Sequence, residues 1–243
     1  MKLHILSDLH LEYGAFQPPP TDADVVVLAG DIHMQDKGIS WALDSFAGPV
    51  IYVMGNHEAY GSSIGATLAG LRARASGSRV YVLQDEALVL DGVRFLCATL
   101  WTDYRLTGNQ PLAQIDALQR ISDFKRVEDA SPDQYLEWHV QSRAFLERSL
   151  DAPFDGPTVV VTHFAPTLHS ADPRYGLSPG TAGFCNALDD LLPLADLWLH
   201  GHLHCPTDQR VGRCRIVANP LGYASKGEQA LFRPTLTIDV ENR

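Results

Sequence analysis

Asp8 and His10, Asp31, Asn56 and His57, His163, and finally His202 and His204 each stand just behind a short apolar run. Together they offer carboxylate and amide oxygens mixed with imidazole nitrogens. That mixture suits divalent first-row metals, whereas calcium takes oxygen alone. The inventory is large enough for two ions. A carboxylate can bridge two metals held ~3.5 to 4 Å apart, the separation used in two-metal hydrolysis, and Asp31 is the candidate bridge.

Such an arrangement needs strands that end together. Leu3–Leu6, Val25–Ala29, Val50–Met54, Thr158–Thr162 and Ala195–Leu199 are short apolar runs of the kind that become strands buried on both faces. Gly30 before Asp31 lets the backbone turn where the strand stops, and ligands of α/β sheets gather at the carboxyl ends of strands. Asp8 and His10, two residues apart, point the same way in extended geometry. Helical spacing over 38–47 and 62–74 supplies crossovers, and strands at 80–83, 88–90 and 93–98 turn at Asp91-Gly92. From Tyr104 to Asp151 the character is helical. Ser131-Pro132-Asp133-Gln134 reads as a capped helix start with a capping box, followed by a core stripe of Tyr135, Trp138, Ser142, Phe145, Leu146 and Leu150. His139 beside that stripe is assigned to packing. Residues 164–186, broken by Pro166, Pro173 and Pro179, read as a long loop that walls or covers the site. A helix is expected over 187–192, and strands over 214–218 and 235–240 complete the sheets. The pattern predicts an α/β architecture (α+β by some schemes) in one domain spanning residues 1–243.

Composition narrows the partners. The chain has 243 residues, 45% hydrophobic and 20% charged, with a formal net charge of −10. An acidic surface gives no nonspecific grip on duplex nucleic acid. The four cysteines show no C-x-x-C spacing and are too few for a disulfide scaffold, which points to reduced thiols and a cytoplasmic location. The first eight residues do not read as a secretory signal, and no apolar run approaches a membrane span.

Taken in order, Asp8-x-His10, Gly30-Asp31, Gly55-Asn56-His57-Glu58, His163 and Gly201-His202-x-His204 resemble the motif set of the calcineurin-like metallophosphoesterases. The resemblance implies two packed mixed β-sheets flanked by α-helices, a four-layer fold with a dimetal site at the strand ends. It implies one metal on Asp8, His10, Asp31 and His204, and a second on Asp31, Asn56, His163 and His202. It gives His57 contact with a phosphate oxygen and a general-acid task, and it gives in-line attack on phosphorus by a hydroxide held between the ions. Two divalent cations would also attract phosphate locally despite the acidic surface. Their identity is open among Mn2+, Fe2+/Fe3+, Zn2+ and Ni2+.

The sequence departs from the pattern in two places. Thr162 replaces the glycine that often precedes the fourth-block histidine. Met34-Gln35-Asp36 occupies the positions where Ser/Thr protein phosphatases carry Asp-Arg-Gly. The second departure points to the small bacterial-type phosphodiesterase and phosphatase branch. Glu58 is assigned to the turn. His33, Asp103, His169, Arg174 and Tyr175 are weaker candidates for the site border, and His200 for packing. The expected function is hydrolysis of a small-molecule or nucleotide phosphodiester, with a phosphomonoesterase as the alternative and a nuclease or metal-free scaffold behind it. Oligomeric state is open.

Overall fold

The computed structural model describes residues 1–173 and 176–240. The chain opens with β1 (Lys2–Leu6), β2 (Val25–Ala29), α1 (Lys37–Ser45), β3 (Val50–Val53), α2 (Ile64–Ala75) and β4 (Val80–Val82). A hairpin of β5 (Glu86–Leu90) and β6 (Val93–Ala98) leads to α3 (Gln110–Arg120), α4 (Asp123–Arg126) and α5 (Pro132–Asp151). The chain then forms β7 (Thr158–Thr162), β8 (Leu197–His200), β9 (Thr207–Val211), β10 (Cys214–Ala218) and β11 (Thr237–Asp239).

These strands make two mixed sheets, ordered β11-β1-β2-β3-β4 and β5-β6-β7-β8-β10-β9. Strands β1 to β4 are mutually parallel, as are β6, β7, β8 and β10, while β11, β5 and β9 are antiparallel edges. The period-two alternation of side chains decides what lies between the layers. Leu3, Ile5, Val25, Val27, Ile51 and Val53 of one sheet pack against Phe95, Cys97, Val159, Val161, Leu199 and Val217 of the other. The alternate residues, among them Val26, Leu28, Tyr52, Leu96, Val160 and Trp198, face outward into a second cluster with the helices. Both faces of the central strands are therefore dry, and their continuous apolar runs follow from that.

Local expectations hold with adjustments. Asp91 and Gly92 both have positive φ, 45° and 79°, as a tight hairpin turn requires. The Ser131 hydroxyl caps α5 by accepting from Gln134 N–H at 3.1 Å. The expected capping box is only half formed: the Gln134 side chain donates to Glu137 at 3.1 Å and does not accept from the Ser131 N–H. The helix expected over 187–192 does not form. Asn186 and Leu188 N–H donate to Ala165 and Pro166 carbonyls, pinning the chain to the preceding loop, and only a 3-10 turn at Leu192–Leu194 follows. Strand β9 was not anticipated. Its residues are polar and alternately exposed, and it is held to β10 by ladder bonds and the Arg215–Asp208 ion pair at 2.8 Å.

Thr162 has a reason to replace glycine. Its hydroxyl accepts from the buried Trp198 indole N–H at 3.0 Å and donates to Phe164 O at 2.8 Å. Thr162→Val keeps the shape and leaves both groups unpaired, so urea denaturation is expected to register a loss of about 1–3 kcal/mol. An unchanged midpoint would show that these bonds contribute nothing net.

Candidate metal centre

Parallel pairing puts the carboxyl ends of β1, β2 and β3 at one end of the first sheet and those of β7 and β8 at the same end of the second. The turns that follow carry every candidate. Asp8 (φ 50°), His10 (45°), Asp31 (55°), His202 (69°) and His204 (49°) all adopt left-handed backbone. Such residues cost of order 1–3 kcal/mol each and persist only where their surroundings over-determine them. Here the turns are tied across the sheets. His202 N–H donates to Asp8 Oδ1 at 2.8 Å, His57 N–H to Asp31 Oδ1 at 2.8 Å, and His163 Nδ1–H to Ala29 O at 2.9 Å. Gly55 and Gly201 permit the approach, since an added Cβ would sit 2.2 Å from Asp31 Oδ1 or 2.5 Å from Asp8 Oδ2.

The structure brings Asp8, His10, Asp31, Asn56, His57, His163, His202 and His204 together, and tautomers follow from their outer partners. His10 Nδ1 faces Glu12 at 3.4 Å and His204 Nδ1 faces Glu228 at 2.6 Å. Carboxylates only accept, so the protons lie on Nδ1 and each Nε2 presents a lone pair inward. Those two Nε2 atoms stand 3.0 Å apart. His163, with its proton on Ala29 O, likewise turns Nε2 toward Asn56 Oδ1 at 3.0 Å and His202 Nδ1 at 3.2 Å. The Asn56 amide nitrogen is already donated to Asp123 at 2.9 Å, so its oxygen faces in. Ring nitrogens 3.0 Å apart need a cation between them, either a shared proton or a metal ion. Asp8 Oδ2, buried without a hydrogen-bond partner, adds to the demand. The residues fit divalent metal ions: among the described residues, ligand atoms of Asp8, His10 and His204 converge in one group and those of Asp31, His163 and His202 in another.

Electrostatics say the same. Burial opposes ionisation of Asp8 and Asp31, yet neighbouring imidazoles hold Asp8 down at about 2 and Asp31 well below the carboxylate range. Burial likewise opposes charge on His163 and His204, but Asp31 raises the first to about 9, and Asp8 with Glu228 raises the second to about 10. The carboxylates pull positive charge into the site from whatever source supplies it. Burial pushes the Glu12 carboxyl up, and hydrogen bonds from His10 and His57 outweigh it and hold the group at about 2.

A cavity of about 470 Å3 opens over this floor. Its walls include Tyr60, Ser122, Thr181, Phe184 and Tyr223, so part of the 164–186 loop forms one wall as expected. Phe184 stacks on His202, ring centres 5.2 Å apart, and His202 stacks on Phe164 at 4.0 Å.

Other candidates are placed elsewhere. Glu58 accepts from Asp31, Ile32 and Gly55 N–H and from the Tyr52 hydroxyl, all within 3.1 Å, which ties the ends of β2 and β3 together as a turn acid. His33 accepts from Met34 N–H at 2.8 Å beside the site. His200 is buried against Ser170 Oγ at 2.9 Å, and His139 against Leu100 O at 3.1 Å. Asp103 accepts from Arg105 N–H at 2.9 Å and lies 4.0 Å from His139, outside the cavity wall. The His169 side chain is 59% exposed. Arg174 and Tyr175 lie outside the described residues. Sequence reasoning missed Glu12, Asp123, Tyr223 and Glu228. Only Glu12 carried a signal, standing two residues beyond His10.

A family model described as calcineurin-like phosphoesterase matches residues 1–206. No curated protein matches the chain. Among solved structures it is similar to a phosphopantetheinyl hydrolase from Mycobacterium tuberculosis, at 24% identity over 95% of this chain and 92% of that one, with a TM-score of 0.69. It is more distantly similar to a structure described as a candidate 5'-nucleotidase from Staphylococcus aureus, at 14% identity, 89% and 48% coverage and a TM-score of 0.47. For GAP50, the anchor in the inner membrane complex of Plasmodium, the values are 12%, 90%, 70% and 0.43. With most of its length matched by that family model, the chain belongs to the calcineurin-like phosphoesterases and is a phosphoric ester hydrolase.

Proposed function

We propose that the chain is a dinuclear metal-dependent phosphodiesterase acting on small phosphorylated molecules, nucleotide diesters among them. Asp31 carries the reading. Its Oδ2 lies 3.8 Å from His10 Nε2 and its Oδ1 lies 3.4 Å from His163 Nε2, one oxygen for each donor set. In this reading Asp8, His10, Asp31 and His204 hold one ion, and Asp31, Asn56, His163 and His202 hold the other. Bound divalent ions supply Lewis acidity toward the phosphoryl oxygens and activate water, and the mixed donors accept manganese, iron, zinc or nickel, with manganese the working choice.

The side chains around them perform the rest. Asp123 fixes the Asn56 amide so that its oxygen faces inward. His57 keeps one proton on Nδ1 toward Glu12 at 3.0 Å and turns Nε2 to the cavity. Protonated there, it delivers a proton to the leaving oxygen as general acid. The half-buried Tyr223 places its hydroxyl 3.2 Å from the same nitrogen. Ile121 and Phe184 offer apolar surface to an organic ester group.

The diester preference rests on charge. A monoester dianion calls for cations beyond the metals and His57, and among the described lining residues Arg120 is 75% exposed and bound to Asp116 while Lys226 lies over the Tyr223 ring. Asp123 and Glu228 add negative charge to the walls. A cytoplasmic location belongs to the same reading and is supported by the low cysteine content; among the described residues no helix is long and apolar enough to cross a membrane.

Protein stripped of metal and reloaded with each candidate ion tests the substrate class against bis(nitrophenyl) phosphate, nitrophenyl phosphate, 2′,3′-cyclic nucleotides and a phosphopantetheinyl ester. The last belongs in the panel because the Mycobacterium tuberculosis neighbour is named for it. With manganese, diester turnover is expected to exceed monoester turnover by about tenfold or more, roughly 1.4 kcal/mol of barrier. A faster monoester rate would reverse the preference, and no turnover with any ion would remove the enzymatic reading.

Ligand roles separate by elemental analysis. Asp31→Asn should deplete both ions together, whereas Asp8→Asn should mainly deplete one; two ions retained at full occupancy in Asp31→Asn would exclude the bridge. Asp123→Asn, which leaves the Asn56 amide without its anionic acceptor, should weaken metal affinity by about 10–100-fold and be rescued by excess manganese.

A further inference from the structure

Glu12 lies in the turn after β1, with a side chain only 8% exposed. Burying a carboxylate is costly unless its charge is used. Its Oε1 stands 3.0 Å from His57 Nδ1 and 3.4 Å from His10 Nδ1, so one oxygen accepts from two imidazoles whose rings meet at 4.4 Å. Its Oε2 is buried without a hydrogen-bond partner. His33 Nδ1, 4.0 Å from that oxygen, already accepts from Met34 N–H and has no proton to give there. The two imidazoles are thus the side chains to which this carboxylate is hydrogen-bonded.

The turn that delivers Glu12 is rigidly placed. His10 and Leu11 N–H donate to Asp31 and Ile32 carbonyls at 3.0 Å, and Tyr13 N–H donates back to His10 O at 2.8 Å. The carboxylate therefore reaches the Nδ1 side of both rings from the backbone that also carries His10. The two imidazoles have different duties. His10 is a metal ligand in the reading above and has a second anchor there. His57 has none, and its ring is otherwise held by packing against Tyr60 at 4.2 Å and by the Tyr223 hydroxyl. An imidazole so placed could turn over about its χ2 bond or exchange tautomers, and either change would point the wrong atom at the leaving group.

We propose that Glu12 is the positioning residue of the proton-transfer step, fixing His57 with its Nδ1–H on the Glu12 carboxylate and its Nε2 toward the leaving oxygen. This rests on the general-acid role given to His57. The step balances simply: the proton on Nε2 passes to the leaving alkoxide as the P–O bond breaks, and Glu12 keeps its charge and accepts from Nδ1–H throughout.

The test is a double-mutant cycle on the manganese-loaded enzyme with Glu12→Gln, His57→Asn and the pair together. Two diesters are compared: bis(nitrophenyl) phosphate, whose leaving group needs no proton, and a 2′,3′-cyclic nucleotide, whose leaving alkoxide does. On the cyclic nucleotide, Glu12→Gln assayed at saturating manganese should lower kcat by about 10²-fold, within the usual range for general acid catalysis, with KM unchanged. On the nitrophenyl diester the loss should stay within a few-fold. In the His57→Asn background, Glu12→Gln should add nothing, the signature of two groups acting as a unit. Normal cyclic-nucleotide turnover in Glu12→Gln, with His57→Asn impaired, would overturn the inference and leave the general-acid reading intact. So would loss of manganese from Glu12→Gln with both activities restored by excess metal, which would assign Glu12 to His10 alone. Unimpaired turnover in His57→Asn would remove the general-acid role, and the inference with it.

Discussion

Two ionised carboxylates, Asp8 and Asp31, are buried where the two sheets meet, and the structure around them is arranged to make that tolerable. A dry environment resists their charge, so it must be met by donors and cations close at hand. Backbone amides of His202 and His57 and the rings of His163 and His204 are turned to that purpose. The same requirement explains the left-handed turns. Only a backbone that reverses directly after the strand points a short acid back across the strand end. It explains the outer partners as well: Glu12, Glu228 and the Ala29 carbonyl take the outer protons of the imidazoles and leave the inner nitrogens as bare donors.

Strain of this kind has to be held by something stiff. The parallel ladders of β1 to β3 and of β6 to β8 end at the same level, with both faces of each strand in apolar packing. A close-packed interior has low compressibility, so strand ends defined by it give their turns a stiff base. Glu58, which gathers amides from the ends of β2 and β3, adds a polar tie at the level where the apolar packing stops. The outer walls are of a different kind. They include the end of α3, Tyr223 and part of the 164–186 loop, whose 3-10 turns at Leu168–Ser170 and Pro179–Gly183 are tied to the body through His200 to Ser170 Oγ and Thr102 Oγ1 to Ala182 O. The candidate ligands thus follow the sheet strands directly, while the cavity walls come from the connections, where folds of this kind vary most.

Much of this was legible in the sequence. Apolar runs such as 25–29 and 158–162 read as strands because burial on both faces leaves no polar positions, and α5 announced itself through its serine cap and its stripe. The five blocks of acids, amide and imidazoles could be seen because each follows such a run directly. What failed was local pattern without tertiary support. Residues 187–192 have helical composition, but their neighbouring amides are claimed by the preceding loop. Strand β9 has almost no apolar content, because an edge strand facing water gains its place from ladder bonds and a cross-strand ion pair more than from burial.

The sequence by itself determined which residue types stand at the strand ends, and therefore the class of chemistry. Type and spacing are local properties, and strand ends follow from hydrophobic patterning. Only the tertiary structure decided which atom faces which. His10 and His204 are 194 residues apart and meet nitrogen to nitrogen, and the acids that fix their tautomers sit on two different turns. Glu12, Asp123, Tyr223 and Glu228 had little or nothing in the sequence to mark them, since an isolated acid is most often a solvated surface residue and a tyrosine by itself marks no site. Their roles come from burial and from distance, and both exist only once the two sheets have closed on one another.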